Sequence, residues 1–566
     1  MPSSTAFTRR GFVTAGAGVA GAIAAMPLLS ACGSAVSSKG GVTTTKGLDA
    51  ILPDHVPQTN GPTPDIPIVT GANGASSDPG FLSYPTNLVK TVSGTPGSGG
   101  SYSAIIPLWG TIPSANNAYY KALNKSLGSN LTVNPANGNN YGTTLPTLVA
   151  GNKLPDWINI PSWNNGNANT GELTSEKFAD LTPYLSGSNI RKYPNLAAIP
   201  TGGWQAAAWE DKIYGFPCWT SGNSFTNLLY YRSDVFKSKG VDPSDVTTSA
   251  DLLSLGAELT SKSAGVYAFD IIWGSIQQIF KTPLNGPGEF IIKNGKVLTG
   301  YDAPEFLEAL NFAYKLTKSG YVHPNALAGD TNDAKQRFWS GQVLVESDGS
   351  GAWNMADAQS GLGANKAYVR AAFDLFSTDG STPTIALGNS SSMTSYLSKT
   401  LSKTQIEEIL ELANYLAAPY GSYEYTMINY GVEGVDYTMA AAGPTYTSQG
   451  NNEASQAIYQ QLVTPQSAVT NTGYPDITKA YCAWTGNAVK YAYKPVFWNM
   501  NITVPNVYTT IAGMTEVADI VQEVTYGTKT VAEFQTALAN WKSSGGQKML
   551  DWYTSDVYAK YGDGDS

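Results

Sequence analysis

An apolar run that reads as a buried strand, Tyr102-Ser103-Ala104-Ile105-Ile106-Pro107-Leu108-Trp109, precedes a helix-like stretch from Thr144 to Gly151 and a second short run, Asp156-Trp157-Ile158-Asn159-Ile160. Strands of this kind alternating with helices build parallel sheets with helices on their faces, so the order restricts the chain to α/β architectures. A length of 566 residues exceeds one ordinary core. At roughly 150 residues per domain it points to two or three lobes. Further along, Asp302-Ala303-Pro304-Glu305, Thr404-Gln405-Ile406-Glu407 and Thr530-Val531-Ala532-Glu533 each place an acceptor side chain three residues before a Glu, the pattern of a capping box. Apolar stripes follow each of them, including Leu307, Leu310 and Ala313, then Ile406, Ile409 and Leu410, then Phe534, Leu538 and Trp541. Such stripes predict helices packed on sheets.

The N-terminus carries addressing information rather than fold. Thr8-Arg9-Arg10-Gly11-Phe12-Val13 has the form of a twin-arginine export signal and leads into a Gly/Ala-rich apolar run that no acidic residue interrupts. The run ends in Leu29-Ser30-Ala31-Cys32-Gly33, the form of a bacterial lipobox, in which small residues admit the peptidase and the Cys32 thiol accepts a diacylglycerol. Residues 1–31 are then a removable signal peptide. Arg9 and Arg10 are its export signal, and Cys32 is the lipidation site that holds the mature chain on the outer face of the cytoplasmic membrane. A plain N-terminal membrane helix is the competing reading, and it leaves the paired arginines and the Cys unexplained. From Gly33 to about Ser98 the sequence is rich in Gly, Ser, Thr, Pro and Asn, which predicts a tether over 32–98, partly ordered near Phe81 to Leu88.

Composition narrows the partners. Only 14% of residues are charged, whereas 13 are Trp and 33 Tyr, a surface suited to neutral, hydroxyl-rich ligands. The formal net charge is −9, and it becomes −11 once Arg9 and Arg10 leave with the signal. No basic run could track a phosphate backbone, so nucleic acid is excluded as a partner. Only two histidines occur, His55 and His323, which supply a Ser-His-Asp or Cys-His site poorly, and no spacing resembles a zinc cluster. Asp563-Gly564-Asp565 lacks the twelve-residue ligand loop of a calcium hand. No cofactor and no metal are expected. Cys218 and Cys482 are left either as two buried thiols or as a bridge.

Several segments, in order, resemble the family 1 extracellular solute-binding proteins, the maltose-binding-like group, and especially its long lipoprotein branch. Leu154-Pro155-Asp156-Trp157-Ile158 is similar to the family's first-lobe strand, which delivers a ligand-contacting loop, here Pro161 to Asn165. Lys212-Ile213-Tyr214-Gly215-Phe216-Pro217 resembles the segment entering the hinge, and Leu229 to Phe236 the first strand and helix of the second lobe. Val343 to Trp353 resembles a strand-Gly-small-Trp element whose Trp stacks on sugar, with Ser350 standing where many members have Pro. Tyr430-Gly431-Val432-Glu433-Gly434-Val435-Asp436-Tyr437-Thr438 is similar to the long branch's most specific signature, and Tyr526 to Lys529 and Tyr553 to Tyr561 to its C-terminal region.

The resemblance implies a two-lobed, type II periplasmic-binding-protein-like α/β fold, with discontinuous lobes joined by a hinge around a cleft that closes on its ligand. It places lobe 1 at 99–222, lobe 2 at 223–375, a return to lobe 1 at 376–435, and further C-terminal helices and loops at 436–566, mainly in lobe 2. It implies the solute-binding lipoprotein of an ABC transporter, a monomer with no enzymatic activity, that captures an oligosaccharide and delivers it to the permease's transmembrane subunits. Two other classes share the aromatic surface: a secreted glycan-degrading lipoprotein, and a cell-surface glycan-binding protein with no transport role.

A sugar ring presents one apolar face and a rim of hydroxyls, so a capturing site needs flat aromatic platforms with amide groups beside them. The candidates in expected loops and strand ends are Trp109, Trp163, Trp219, Trp273, Trp353 and Trp498, with Asn164 and Asn165 beside Trp163. Trp541 and Trp552 are expected to pack helices. Glu433 has no carboxylate partner placed by the sequence, and a glycosidase needs two.

Overall fold

The computed structural model describes residues 45–58, 61–165, 170–223, 225–283 and 289–562, and the side chains of residues 45–47 and of Trp219 are outside the described set. Arg9, Arg10 and Cys32, expected as export-signal and lipidation residues, and Asp563 to Asp565 also lie outside it.

Nine strands build two main sheets. They are β1 (Ser101–Leu108), β2 (Asn130–Asn137), β3 (Trp157–Pro161), β4 (Gly215–Thr220), β5 (Leu228–Arg232), β6 (Tyr267–Phe269), β7 (Val343–Asp348), β8 (Arg370–Ala372) and β9 (Ser391–Leu397). The first sheet runs β2-β1-β3-β9-β4, with β1 parallel to β2 and β3, and β9 antiparallel to both of its neighbours. The second runs β8-β5-β7-β6. The first sheet is discontinuous in sequence, because β9 returns to it after the second is complete. The chain passes between them at 221–227 and again at 373–390.

Local chemistry explains the strands and most helix starts. All five residues of β3 are buried, as a central strand in a sheet covered on both faces requires. The helix Val531–Trp541 begins with the expected capping box of Thr530 and Glu533. Two starts differ from expectation. The helix Lys403–Leu416 is capped two residues earlier, by Ser402 and Gln405. The helix Pro304–Lys318 has no side-chain cap, since its N-cap residue is Ala303, which carries no acceptor, and Asp302, one residue earlier, pairs with Lys542 instead.

Cores follow the sheets. Ile106, Trp157, Phe216 and Leu410 belong to the first, whereas Phe236, Phe269, Ala313 and Val345 belong to the second. A further cluster joins Phe306 and Leu310 to Val517, Phe534, Trp541 and Leu550 of the C-terminal helices. The segment after 436 is divided, because Ile458, Tyr459, Leu462 and Val463 pack into the first core rather than the second.

Residues 61–98, expected within the tether, form an ordered strap. Ala75, Phe81, Tyr84 and Val92 are buried, and Gly80–Phe81 pairs in parallel with Val469–Thr470. The strap lies across the first crossing. Ser76 N donates to Gly222 O at 2.9 Å, Asn223 Nδ2 donates to Ser76 O at 2.9 Å, and Ser221 Oγ donates to Asp78 Oδ2 at 2.6 Å. Gly222 is required here, since a Cβ would stand 2.0 Å from Ser76 Oγ. Buried Glu424 fastens the far end by accepting from the N–H groups of Thr91 and Val92. Low sequence hydrophobicity concealed the strap, because polar and backbone bonds hold it more than an apolar stripe does.

Candidate ligand-binding cleft

Strand direction gathers the candidate residues. Pairing of Leu108 with Asn137, Pro161 with Met393 and Thr220 with Ser391 puts the ends of β1, β2, β3 and β4 and the start of β9 on one edge of the first sheet. Trp109, Trp163, Asn164 and the 387–390 segment leave that edge. In the second sheet, Leu228 pairs with Asp348 and Val345 with Phe269, so Trp273 and Trp353 follow strands ending at one common edge. Both edges open onto the crossing segments, which is where ligands sit in open α/β sheets.

The aromatic residues differ in what they offer. Trp109 and Trp163 are 48% and 57% exposed, with ring centroids 5.9 Å apart, and together form an accessible apolar platform. Gly138 leaves room for the Trp109 ring, which a Cβ there would meet at 2.4 Å. Asn164 is buried beside them in the 3-10 turn Ser162–Asn164. Trp353 is instead 7% exposed and packs edge-on against Tyr230 and Tyr481, so its faces serve the core. Trp273 is half-buried, edge-on to Phe306 at 5.6 Å. Trp219 lies in β4 with its side chain outside the described set. As expected from their helical surroundings, Trp541 and Trp552 pack among the C-terminal helices.

A cavity of about 400 Å³ lies beside the crossings. Its volume falls at the lower end of the range of ligand pockets, roughly 300–1,000 Å³. Asn165, Trp209 and Asn389 line it from the first-sheet side, Trp498 and Asn501 from the segment after 494, and Phe290 and Tyr553 from the body around the C-terminal helices. Hydrogen bonds brace the wall. Trp498 Nε1 donates to Gly388 O at 2.9 Å, and Asn501 Nδ2 donates to Ala206 O and Ala208 O at 2.9 and 2.7 Å. Ser390 N donates to Asn499 Oδ1, tying the second crossing to the same segment. Burial raises the Tyr553 phenol well above its ordinary range, so it stays a neutral hydroxyl. Phe290, Trp209 and Tyr553 were absent from the sequence candidates, because no local pattern distinguishes a cavity-lining aromatic from a core one.

Several alternative chemistries meet structural explanations. Gly431 adopts φ +83°, and Asp436 Oδ2 accepts the Val432 N–H at 2.8 Å. The Gly431–Tyr437 signature is thus a tight loop closed by Asp436, which is fully buried. Burial raises the Asp436 carboxyl, opposed by that bond. His323 caps the short helix Pro324–Leu327, its Nδ1 accepting from Asn325 N, and burial lowers its pKa. Cys218 and Cys482 are both free and buried, and burial pushes the Cys482 thiol up to about 11. Among the described residues no group of three or more His, Cys, Asp or Glu is placed to hold a metal ion. No described helix is long and apolar enough to cross a membrane.

The family described as bacterial extracellular solute-binding protein matches residues 118–427, more than half of the chain. The chain belongs to this family. As a solute-binding protein it has the two-lobed, type II periplasmic-binding-protein-like α/β fold. It is 21% identical to the lipoprotein LipO of Bacillus subtilis over 457 residues, which cover 77% of this chain and 88% of LipO. Among solved structures it is similar to a solute-binding protein of Bifidobacterium longum infantis described as binding HMO and associated with an ABC transporter, with a TM-score of 0.60 and 13% identity over 82% of this chain and 99% of the other. The N-glycan transport solute-binding protein NgtS of Streptococcus pneumoniae, in complex with Man1GlcNAc, gives a TM-score of 0.54 and 16% identity over 82% and 99%. At these identities the structures establish the fold of this solute-binding protein.

Proposed function

We propose that this solute-binding protein captures an oligosaccharide in the cleft beside its crossing segments and delivers it to the transmembrane subunits of an ABC permease. The observation that carries the reading is the pairing of an exposed tryptophan platform, Trp109 with Trp163, with an aromatic and amide-lined cavity served by the same sheet edge. Sugar faces stack on such rings while amides meet their hydroxyls. Two structural relatives are described by glycan ligands, HMO and Man1GlcNAc, which supports the substrate class. The protein acts as a monomer and performs no reaction of its own. Export through the Arg9-Arg10 signal and acylation of Cys32 place it on the outer face of the cytoplasmic membrane, a reading that the lipoprotein relative LipO supports.

Binding drives the cycle only if the ligand prefers the closed arrangement of the lobes. A thermal-shift screen against oligosaccharides, with amino acids and peptides as controls, tests the substrate class. A ligand at 100 times its Kd stabilises the fold by about 2.7 kcal/mol. Stabilisation by an oligosaccharide alone is the expected result. Stabilisation by peptides alone would overturn the carbohydrate reading.

A further inference from the structure

The cavity wall has a one-sided inventory of polar groups. Among the described residues lining it, Asn165, Asn389 and Asn501 carry amides, and Glu289 is the sole carboxylate. No Lys, Arg or His is among the described residues that line it. The sequence between Asn165 and Thr170 is Gly-Asn-Ala-Asn, and that between Pro283 and Glu289 is Leu-Asn-Gly-Pro-Gly, so neither neighbouring stretch contributes an ionisable side chain. Lys494, which is not among the lining residues, places its Nζ over the Trp498 ring, 5.1 Å from the centroid. The buried arginines are committed in the second lobe: Arg232 to Asp234, Arg337 to Asp270 and Asp330, and Arg370 to Glu346 and Asp357.

A uronate entering this cavity would lose water from a full negative charge and find no cation among the described lining residues to pair with. An unpaired charge is among the costliest groups to desolvate, whereas a neutral sugar hydroxyl is satisfied by the amides already there. Asn165 Oδ1 adds a positive requirement. It is shielded from solvent and accepts no hydrogen bond among the described residues, so it needs a donor. A sugar hydroxyl or an N-acetyl N–H is such a donor; uronates carry hydroxyls too, so this group favours a saccharide while the lack of a lining cation sets the charge of that saccharide.

From this wall we infer that the cavity selects uncharged saccharide units, neutral or N-acetylated, and rejects uronic-acid units. The inference rests on the oligosaccharide reading above and deepens it by fixing the charge of the ligand. It applies to the unit enclosed in the cavity, while the open Trp109–Trp163 platform remains available to either kind of ring face.

Calorimetric titration of the full mature chain tests it, with the neutral trisaccharides maltotriose, cellotriose, mannotriose and N,N′,N″-triacetylchitotriose, the neutral lacto-N-tetraose, and the uronates trigalacturonate, trimannuronate and triguluronate. The expected result is measurable binding of at least one uncharged saccharide, with every uronate at least 100-fold weaker at low salt. A uronate bound as tightly as the best neutral ligand overturns the inference and leaves the saccharide reading standing. Binding of none, including in a parallel thermal-shift screen, removes the saccharide reading and the inference with it. The variant Asn389→Arg, which adds a cation to the wall, is expected to narrow the discrimination at least tenfold, and unchanged discrimination would contradict its electrostatic origin.

Discussion

Trp109 and Trp163 sit on the open edge of the first sheet with about half of their surface exposed, so removing either takes contact area from a ligand and little from the fold. Trp163→Ala is expected to weaken oligosaccharide binding about tenfold, in line with roughly 1–1.5 kcal/mol per aromatic platform, with an unchanged melting temperature. Calorimetry alongside thermal melting separates the two effects. Trp353→Ala has the opposite signature: its ring is enclosed by Tyr230, Tyr481 and their neighbours, so truncation should cost about 3–5 kcal/mol of stability. A melting temperature equal to that of the parent protein would contradict that placement. The contrast marks where single residues were legible in the sequence. The structure puts Trp109, Trp163 and Asn164 just after strand ends and Trp498 on the cavity wall, positions that residue type and loop placement could suggest. Orientation was invisible, because the sequence does not say whether a ring after a strand turns outward, as Trp163 does, or inward, as Trp353 does.

The strap over residues 61–98 is the element that composition misrepresented. A stretch of Gly, Ser, Pro and Thr lacks the apolar period of a core element, yet its polar groups answer those of the crossing segment at Ser221, Gly222 and Asn223. Asp78 is the titratable member of this contact. Burial raises its pKa from 3.8 to about 7, against the opposing bonds from Ser221 and Gly222. The folded chain therefore holds an extra proton between about pH 4 and 7. This contribution to stability is full below about pH 4 and is lost as pH rises through about 7. Burial raises Glu346 in the same direction, so the comparison that isolates Asp78 is with Asp78→Asn. That variant keeps an acceptor for Ser221, and it should be more stable than the parent at pH 8 by up to a few kcal/mol, an advantage that fades toward pH 5 in denaturant titrations. Equal differences at both pH values would remove Asp78 as the cause. Gly222→Ala should destabilise the strap at every pH, by about 1–3 kcal/mol, because its Cβ enters the space of Ser76. Capping was legible to within a turn: Thr530 behaves as the pattern predicts, while Ser402 displaces Thr404 because its hydroxyl lies where the first free N–H groups of the helix emerge.

At the scale of the molecule, the alternation of buried strands and amphipathic helices announced the α/β class, whereas a return of the chain to the first lobe was implied only by the family resemblance. Long-range partition was less legible. Ile458 to Val463 joins the first core although the C-terminal region was expected mainly with the second, since an apolar stripe specifies that it will be buried and not against which neighbour. The two sheets meet through crossings at 221–227 and 373–390, the second paired through Ile385–Ala386 with Ala492–Tyr493, and the cavity lies beside them. Rotation about so few connecting segments would change the cavity while leaving both sheets intact, the behaviour of hinged domains. Small-angle scattering of the mature chain, with and without a saturating oligosaccharide found in the thermal screen, tests this most directly. The account predicts a smaller radius of gyration in the bound state with no change in molecular mass, and a radius unchanged at saturation would contradict capture by closure.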